Sequence, residues 1–275
     1  MIVSAIPFTG NKRRLWGQIE PLLPEGYLFV DMLCGGGTVA LNATEKYESV
    51  WAMDVMEPVI ELHKAFQIEK FLERITSVHE AYPQTKEGYL SLRKAYNVED
   101  SPAKLLNLIL RSNTNYMRFN KSLKFNVPYG ERCHYNLERT KAHHEACKRI
   151  SFYCNDFRES TKRLLCNVSP DGGYPVVVYM DSPYQTCTAT YNESGGWKGE
   201  DDEDLLDCIL ELHSKGFKIA ASNVFENKGK VNTKWVEFCD THEDKFTIHH
   251  LNRSYNNCSF RKSTSKTDEV LIVSK

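Results

Sequence analysis

Short apolar runs alternate with helix-compatible segments over much of the chain. Tyr27 to Met32 (YLFVDM) is an apolar run carrying Asp31 near its end. Cys34-Gly35-Gly36-Gly37 follows, and Thr38 to Ala43 resumes a helical pattern, so this stretch predicts strand, glycine turn and helix. A second run, Ser49 to Met53, ends at Asp54, and Pro58 opens a helix carrying Val59, Leu62, Phe66 and later Leu72 on one side. From about Ile60 to Lys148 the alternation stops. Helical spacing dominates there, with Leu105, Leu106, Ile109 and Leu110 as an apolar stripe, before a polar, aromatic and basic stretch. Strand and helix then return: Ile150 to Cys154, Val176 to Asp181, a helix from Asp201 to Lys215, and strands at Phe217 to Ser222, Phe246 to Leu251 and Glu269 to Val273. The last two are expected to pair antiparallel. The pattern predicts an α/β fold, an open and mainly parallel sheet with helices on both faces. Residues 1–58 and 149–275 make one discontinuous domain, and 59–148 an inserted, mainly helical one.

Length and composition add limits. The 275 residues are 41% hydrophobic and 26% charged, enough for a substantial core. The longest strongly apolar stretch, Pro175 to Met180, falls far short of the roughly 20 residues that cross a bilayer, so no membrane span is expected. Apolar Met1 to Pro7 precedes the basic Lys12, Arg13 and Arg14, the reverse of a secretory signal, which predicts a cytoplasmic protein. Nine cysteines without a Cys-x-x-Cys pair fit neither a disulfide framework nor a zinc ribbon. His143, His144 and Cys147 lack a second ligand pair and are expected on a solvated helix face, with no metal.

The net charge of −1 hides an uneven distribution. Residues 111–149 hold nine Lys and Arg against three Glu, and 245–275 hold six basic residues against Asp268 and Glu269. Eight carboxylates against Lys198 lie between Glu193 and Glu211. A surface polarised in this way permits a polyanionic partner.

Open α/β sheets bind ligands beyond the carboxyl ends of their strands. Gly35, Gly36 and Gly37 lie at such an end and allow close backbone approach, while Asp54 ends the next strand, placed to accept from ribose hydroxyls. Together they suggest a nucleoside cofactor, and the spacing differs from Gly-x-Gly-x-x-Gly, which disfavours a nicotinamide dinucleotide. The strand VVVYM (Val176 to Met180) delivers Asp181, Ser182, Pro183 and Tyr184 at its end.

That tetrapeptide resembles the Asp-Pro-Pro-Tyr signature of amino-methyltransferases, which methylate an exocyclic amino nitrogen of a DNA base from S-adenosylmethionine. An adenine N6 lone pair is delocalised into the ring until its hydrogens are held out of plane. Asp181 can accept one hydrogen, the Ser182 carbonyl the other, and Tyr184 can stack on a flipped-out base. Further matches resemble the Dam family of DNA adenine-N6 methyltransferases, phage type, over nearly the whole chain. They are IPFTGNKRRL (Ile6 to Leu15), FVDMLCGGGTVALN (Phe29 to Asn42), NYMRFNKSLKFNVPYGER (Asn115 to Arg132), CNDF (Cys154 to Phe157), SNVFENKG (Ser222 to Gly229) and the tail TDEVLIVSK.

The resemblance implies a Rossmann-like S-adenosylmethionine-dependent methyltransferase sheet with an inserted helical DNA-recognition subdomain. It implies catalysis by Asp181, Ser182, Pro183 and Tyr184. It implies cofactor binding by Phe8, Lys12, Asp31, Cys34, Gly35, Gly36, Gly37, Asp54, Asp156 and Phe157. A hairpin with Asn115, Arg118, Asn120, Pro128 and Arg132 would read double-stranded DNA at GATC or a related site, with no membrane and no obligatory protein partner. Ser182 departs from the signature proline, and Asn113 and Thr114 stand where phage relatives place an aromatic and a small polar residue. Two alternatives stay open: a DNA-binding descendant without turnover, and an amino-methyltransferase acting on RNA or cytosine N4.

Overall fold

The computed structural model describes residues 1–133, 135–170, 173–184, 196–251 and 267–275. Its helices are α1 (Trp16–Ile19), α2 (Thr38–Ala43), α3 (Glu57–Phe66), α4 (Phe71–Ala81), α5 (Lys86–Val98), α6 (Pro102–Arg111), α7 (Leu137–Cys147), α8 (Phe157–Asn167), α9 (Gly199–Ser214) and α10 (Thr233–Thr241). The strands are β1 (Leu28–Asp31), β2 (Ser49–Asp54), β3 (Ile150–Cys154), β4 (Val176–Asp181), β5 (Lys218–Asn227), β6 (Lys230–Val231), β7 (Phe246–Leu251) and β8 (Thr267–Ser274). The architecture is α/β and Rossmann-like, with mostly parallel strands, as expected. Among the described residues no helix is long and apolar enough to cross a membrane.

The chain divides into two compact units. The first holds Met1–Asn11, Cys34–Lys46 and Val50–Cys154; the second holds Lys12–Leu33, Tyr47–Ser49 and Asn155–Lys275. In the first, β2 and β3 pair in parallel from Val50↔Ile150 to Asp54↔Cys154. Helix α3 packs on β3, and α3, α4, α5 and α6 pack together, while α7 lies against α2 and α3. The predicted stripe holds: Leu105, Leu106, Ile109 and Leu110 of α6 are all buried.

The single helix expected from Pro58 through Leu72 is two helices, α3 and α4. The break falls at Gln67, whose side-chain amide donates to the carbonyls of Cys147 (3.0 Å) and Ile150 (2.8 Å). That anchorage to the segment leading into β3 replaces another helical turn.

The second unit contains β1, β4 and β5 in parallel, followed by β8 and β7 antiparallel. The antiparallel C-terminal pair is therefore as expected. Each residue of β4 from Val176 to Met180 is buried, as a continuous apolar strand between neighbours requires. Strand β5 runs five residues beyond the predicted Ser222. It turns at Lys228 (φ 52) and Gly229 (φ 80) and pairs with β6 as a two-residue hairpin. Positive φ at both turn positions matches the twist of paired strands.

His143, His144 and Cys147 are buried, against the solvated-face expectation. The reason is tertiary: α7 turns this face onto α3 and the N-terminal segment. His143 Nδ1 accepts from the Ala5 amide (3.0 Å), and His144 Nδ1 donates to the Phe66 carbonyl (2.5 Å).

Candidate functional site

In the first unit the expected cofactor residues build one corner. β2 brings Asp54 to its end, where Oδ2 accepts from the Gly35 amide (2.8 Å) and Oδ1 from Met56 (2.9 Å). Burial pushes the Asp54 carboxyl upward, against these backbone hydrogen bonds. Cys34 is buried, its amide bonded to the Met53 carbonyl (2.8 Å). Gly35 lies at φ 46 and Gly37 at φ 75, the left-handed region that favours glycine.

Glycine is also required by packing. A Cβ on Gly35 would sit 2.5 Å from the Phe8 ring, and one on Gly37 would sit 2.6 Å from His63 Cε1. His63 Nε2 donates to the Gly35 carbonyl (2.9 Å), and the Ser4 hydroxyl donates to the Gly36 carbonyl (2.5 Å). His63 and His143 stack at 5.4 Å. Burial holds His63 at about 4 and His143 well below its ordinary value, so both rings are neutral props. His63 and His143 come near Cys147, all within 4.8 Å, a cluster that sequence spacing missed because His63 arrives from α3. The turn fits a nucleoside: a carboxylate has about four acceptor positions, and the backbone amides of Gly35, Val55 and Met56 leave the Asp54 carboxylate with acceptor capacity for a hydroxyl.

In the second unit β4 delivers the tetrapeptide. Lys12, expected among the cofactor residues, bonds within this corner: Nζ lies 2.5 Å from Asp181 Oδ1, 2.6 Å from the Tyr184 hydroxyl and 3.4 Å from Glu269 Oε1. The Tyr184 hydroxyl in turn donates to Glu269 (2.7 Å). Burial raises the Asp181 carboxyl; Lys12 pulls it down and Glu269 pushes it further up. Burial and the charges of Asp181 and Glu269 hold Tyr184 well above the ordinary tyrosine value, so it remains a phenol able to donate.

Glu269 was not among the residues picked out from the sequence. The available signal is a carboxylate heading the apolar run Val270 to Val273, yet the residue itself is only 1% exposed. Buried carboxylates need a partner, which Lys12 and Tyr184 provide.

Asp31 is buried at the end of β1. Asp156 caps α8 by accepting from the Arg158 amide (2.9 Å), and Arg158 also reaches Asp201 (2.5 Å) and Asp204 (2.6 Å). Phe157 is buried against Trp197 (5.3 Å), with the Arg158 guanidinium over its ring at 4.3 Å.

The expected DNA residues lie on a hairpin closed by main-chain bonds between Asn113 and Pro128, Asn126 and Arg118, and Asn120 and Lys124. Helix α5 supports it: Tyr89 donates to the Val127 carbonyl (2.7 Å), and Asn97 accepts from the Phe125 amide (2.8 Å). Asn115 caps the end of α6 by donating to Ile109 and Leu110. The Asn120 side chain accepts from the amides of Ser122 and Lys124, which builds the tip. Arg118 crosses to Asn126 (3.0 Å), and Pro128 and Arg132 are exposed. Part of the basic excess is internal. Arg111 is buried on the carbonyls of Tyr82 and His79, and Lys141, Lys148 and Arg149 pair with Glu138, Glu145 and Glu45. The basic residues Arg253, Arg261, Lys262 and Lys266, and Glu193 of the acidic stretch, lie outside the described residues.

A glycine turn after the first strand and a strand-end Asp-x-Pro-Tyr, on a mostly parallel sheet, define a Rossmann-like methyltransferase, a class whose methyl donor is S-adenosylmethionine. The family model for D12 class N6 adenine-specific DNA methyltransferases matches residues 8–257, and the chain belongs to that family. The type II methyltransferase M.FokI of Planomicrobium okeanokoites is 31% identical over 291 residues, covering 99% of this chain and 43% of that protein. The modification methylase StsI of Streptococcus sanguinis is 27% identical, again over 99% and 43%. The chain thus spans less than half the length of these relatives. The retron Ec67 DNA adenine methylase of Escherichia coli is 26% identical over 80% of this chain and 76% of its own. Among solved structures, an rRNA methylase from Streptococcus thermophilus aligns over 95% of the chain with a TM-score of 0.41 and 9% identity.

Proposed function

We propose that this chain transfers a methyl group to N6 of an adenine flipped out of double-stranded DNA, within GATC or a closely related short site. The observation that carries the reading is the buried corner in which Lys12 and Glu269 hold Asp181 and Tyr184 at the end of β4. Asp181 accepts one amino hydrogen and the Ser182 carbonyl the other, which draws the nitrogen lone pair out of the ring system. The Tyr184 ring stacks on the extruded base. Lys12 keeps the Asp181 carboxylate charged despite its burial, and Glu269 holds the phenol by its hydroxyl.

When bound, S-adenosylmethionine supplies an electrophilic methyl on a sulfonium sulfur. In the first unit Asp54 and the backbone of Cys34 to Gly37 hold the nucleoside part beside Phe8; Asp31, Asp156 and Phe157 of the second unit are the other residues that the family resemblance assigns to the cofactor. With nucleophile and methyl both held, positioning accounts for most of the rate, since effective molarities reach roughly 10⁵ to 10⁸ M in well-oriented systems. Residues 59–148 form the recognition domain. Its hairpin presents Arg118, Asn120, Pro128 and Arg132 to the major groove, with Asn115 at its base, and its exposed cations neutralise phosphates.

The test is transfer of labelled methyl to duplexes with and without GATC, with mapping of N6-methyladenine. Incorporation at adenine within one short site is expected, and Asp181→Ala should abolish it while cofactor binding survives. Cofactor and DNA binding without incorporation on any duplex would replace this reading with a binding protein that lacks turnover.

A further inference from the structure

Ser182 is 2% exposed and stands where the Asp-Pro-Pro-Tyr signature has its first proline. Proline fixes φ through its ring, and serine leaves the chain free to turn. The peptide most in need of restraint in the proposed mechanism is this one, because its carbonyl accepts an amino hydrogen.

The structure supplies a restraint from the neighbouring strand. β4 and β5 pair in parallel with Asp181 opposite Ser222, which brings the next residue, Asn223, beside the tetrapeptide. Asn223 is fully buried, and its Nδ2 donates to the Ser182 hydroxyl at 3.0 Å. The other end of that amide is also fixed. Oδ1 accepts from the Val224 amide (2.7 Å) and from Asn232 Nδ2 (3.2 Å). Asn232 is itself tied by its backbone to the Phe225 carbonyl (2.8 Å), immediately before α10. A buried amide held at both ends is a donor of set direction, and a bond made in the dry interior is stronger than one facing water.

We propose that Asn223, steadied by Asn232, is a positioning residue that holds the Ser182 peptide by its hydroxyl and so performs the task of the missing proline ring. This rests on the reading of Asp181 to Tyr184 as the site that takes the adenine amine. The Ser182 departure then marks a substituted restraint, and turnover is retained. A proline at 182 offers no hydroxyl to accept this bond, so the two solutions are alternatives.

The experiment compares the unaltered chain with Ser182→Ala, Asn223→Ala and the double variant. Readouts are methyl-transfer kinetics on duplex DNA and amide hydrogen exchange of the peptide covering Asp181 to Tyr184. Ser182→Ala should lower kcat about tenfold with little change in KM for cofactor or DNA, as expected when a positioned group loosens. Exchange at the tetrapeptide should quicken in the same variant, and the double variant should fall no further than the worse single one. Unchanged kcat and exchange in Ser182→Ala would overturn the proposal, as would losses that add in the double variant. If Asn223→Ala does not fold, Ser182→Ala alone decides. If the unaltered chain transfers no methyl, the proposed function fails, and hydrogen exchange still decides whether the tether exists.

Discussion

The glycine turn and the tetrapeptide corner both end parallel strands, yet opposite means hold them in shape. Neutral groups hold the carbonyls of the turn: that of Gly35 accepts from the uncharged His63 ring and that of Gly36 from Ser4, while the Gly35 amide bonds Asp54. Charge holds the tetrapeptide corner: one buried ammonium, Lys12, stands between the carboxylates of Asp181 and Glu269. Neutral supports suit a turn that has only to keep a shape. The corner has to keep a carboxylate charged in the interior, which burial opposes, so a counter-charge is built in. The two regions should therefore fail under different insults.

Removing the counter-charge should have the largest effect. Lys12→Met leaves two buried carboxylates facing each other, and loss of one partner from a buried ion pair costs about 3–5 kcal/mol. Urea unfolding at neutral pH should show that loss together with abolished methyl transfer. Unchanged stability would mean that the corner does not depend on its cation.

Acid should break the other region. His63 is near 4 in the folded chain against 6.5 when unfolded, so between these values the unfolded state takes up a proton that the folded state refuses. The associated stability is complete above pH 6.5 and is lost as pH falls through 4. Its size is about 3 kcal/mol for His63, and His143, also depressed, adds to it. Denaturant midpoints between pH 7.5 and 4.5 should fall steadily, and His63→Gln should flatten the dependence. Asp181 shifts the other way: raised by burial, it should protonate above the usual carboxylate range and carry away turnover on the acid side.

A smaller effect should sharpen the contrast. Glu269→Gln keeps an acceptor for Tyr184 and leaves Lys12 paired with Asp181, so turnover should fall about three- to tenfold with a smaller loss of stability than in Lys12→Met. A loss as large as that of Lys12→Met would show that Glu269 does more than orient the phenol.

Much of the sheet was readable because its signals are local. Val176 to Asp181 is a strand by its unbroken apolar run, and Ile150 to Cys154 and Phe246 to Leu251 match the structure at both ends. Glycine before a helix and acid after a strand marked the turn and Asp54. Less of the hairpin's internal bonding was readable: the Asn115 side chain also caps α6, and the Asn120 side chain builds the hairpin tip. The amide that can bond a base edge can equally bond a backbone, and residue type does not distinguish them.

The sequence by itself determined the class of fold, the strand-end placement of Asp181 to Tyr184 and the family, because periodicity, glycine spacing and a short ordered motif are written along the chain. The tertiary structure alone decided the partners: Lys12 with Asp181 and Glu269, His63 with Gly35, and Asn223 with Ser182. The paired residues lie 169, 28 and 41 positions apart for Lys12–Asp181, His63–Gly35 and Asn223–Ser182. Contacts over such separations follow from strand order and helix packing, and a buried charge or amide has meaning only once its partner is known.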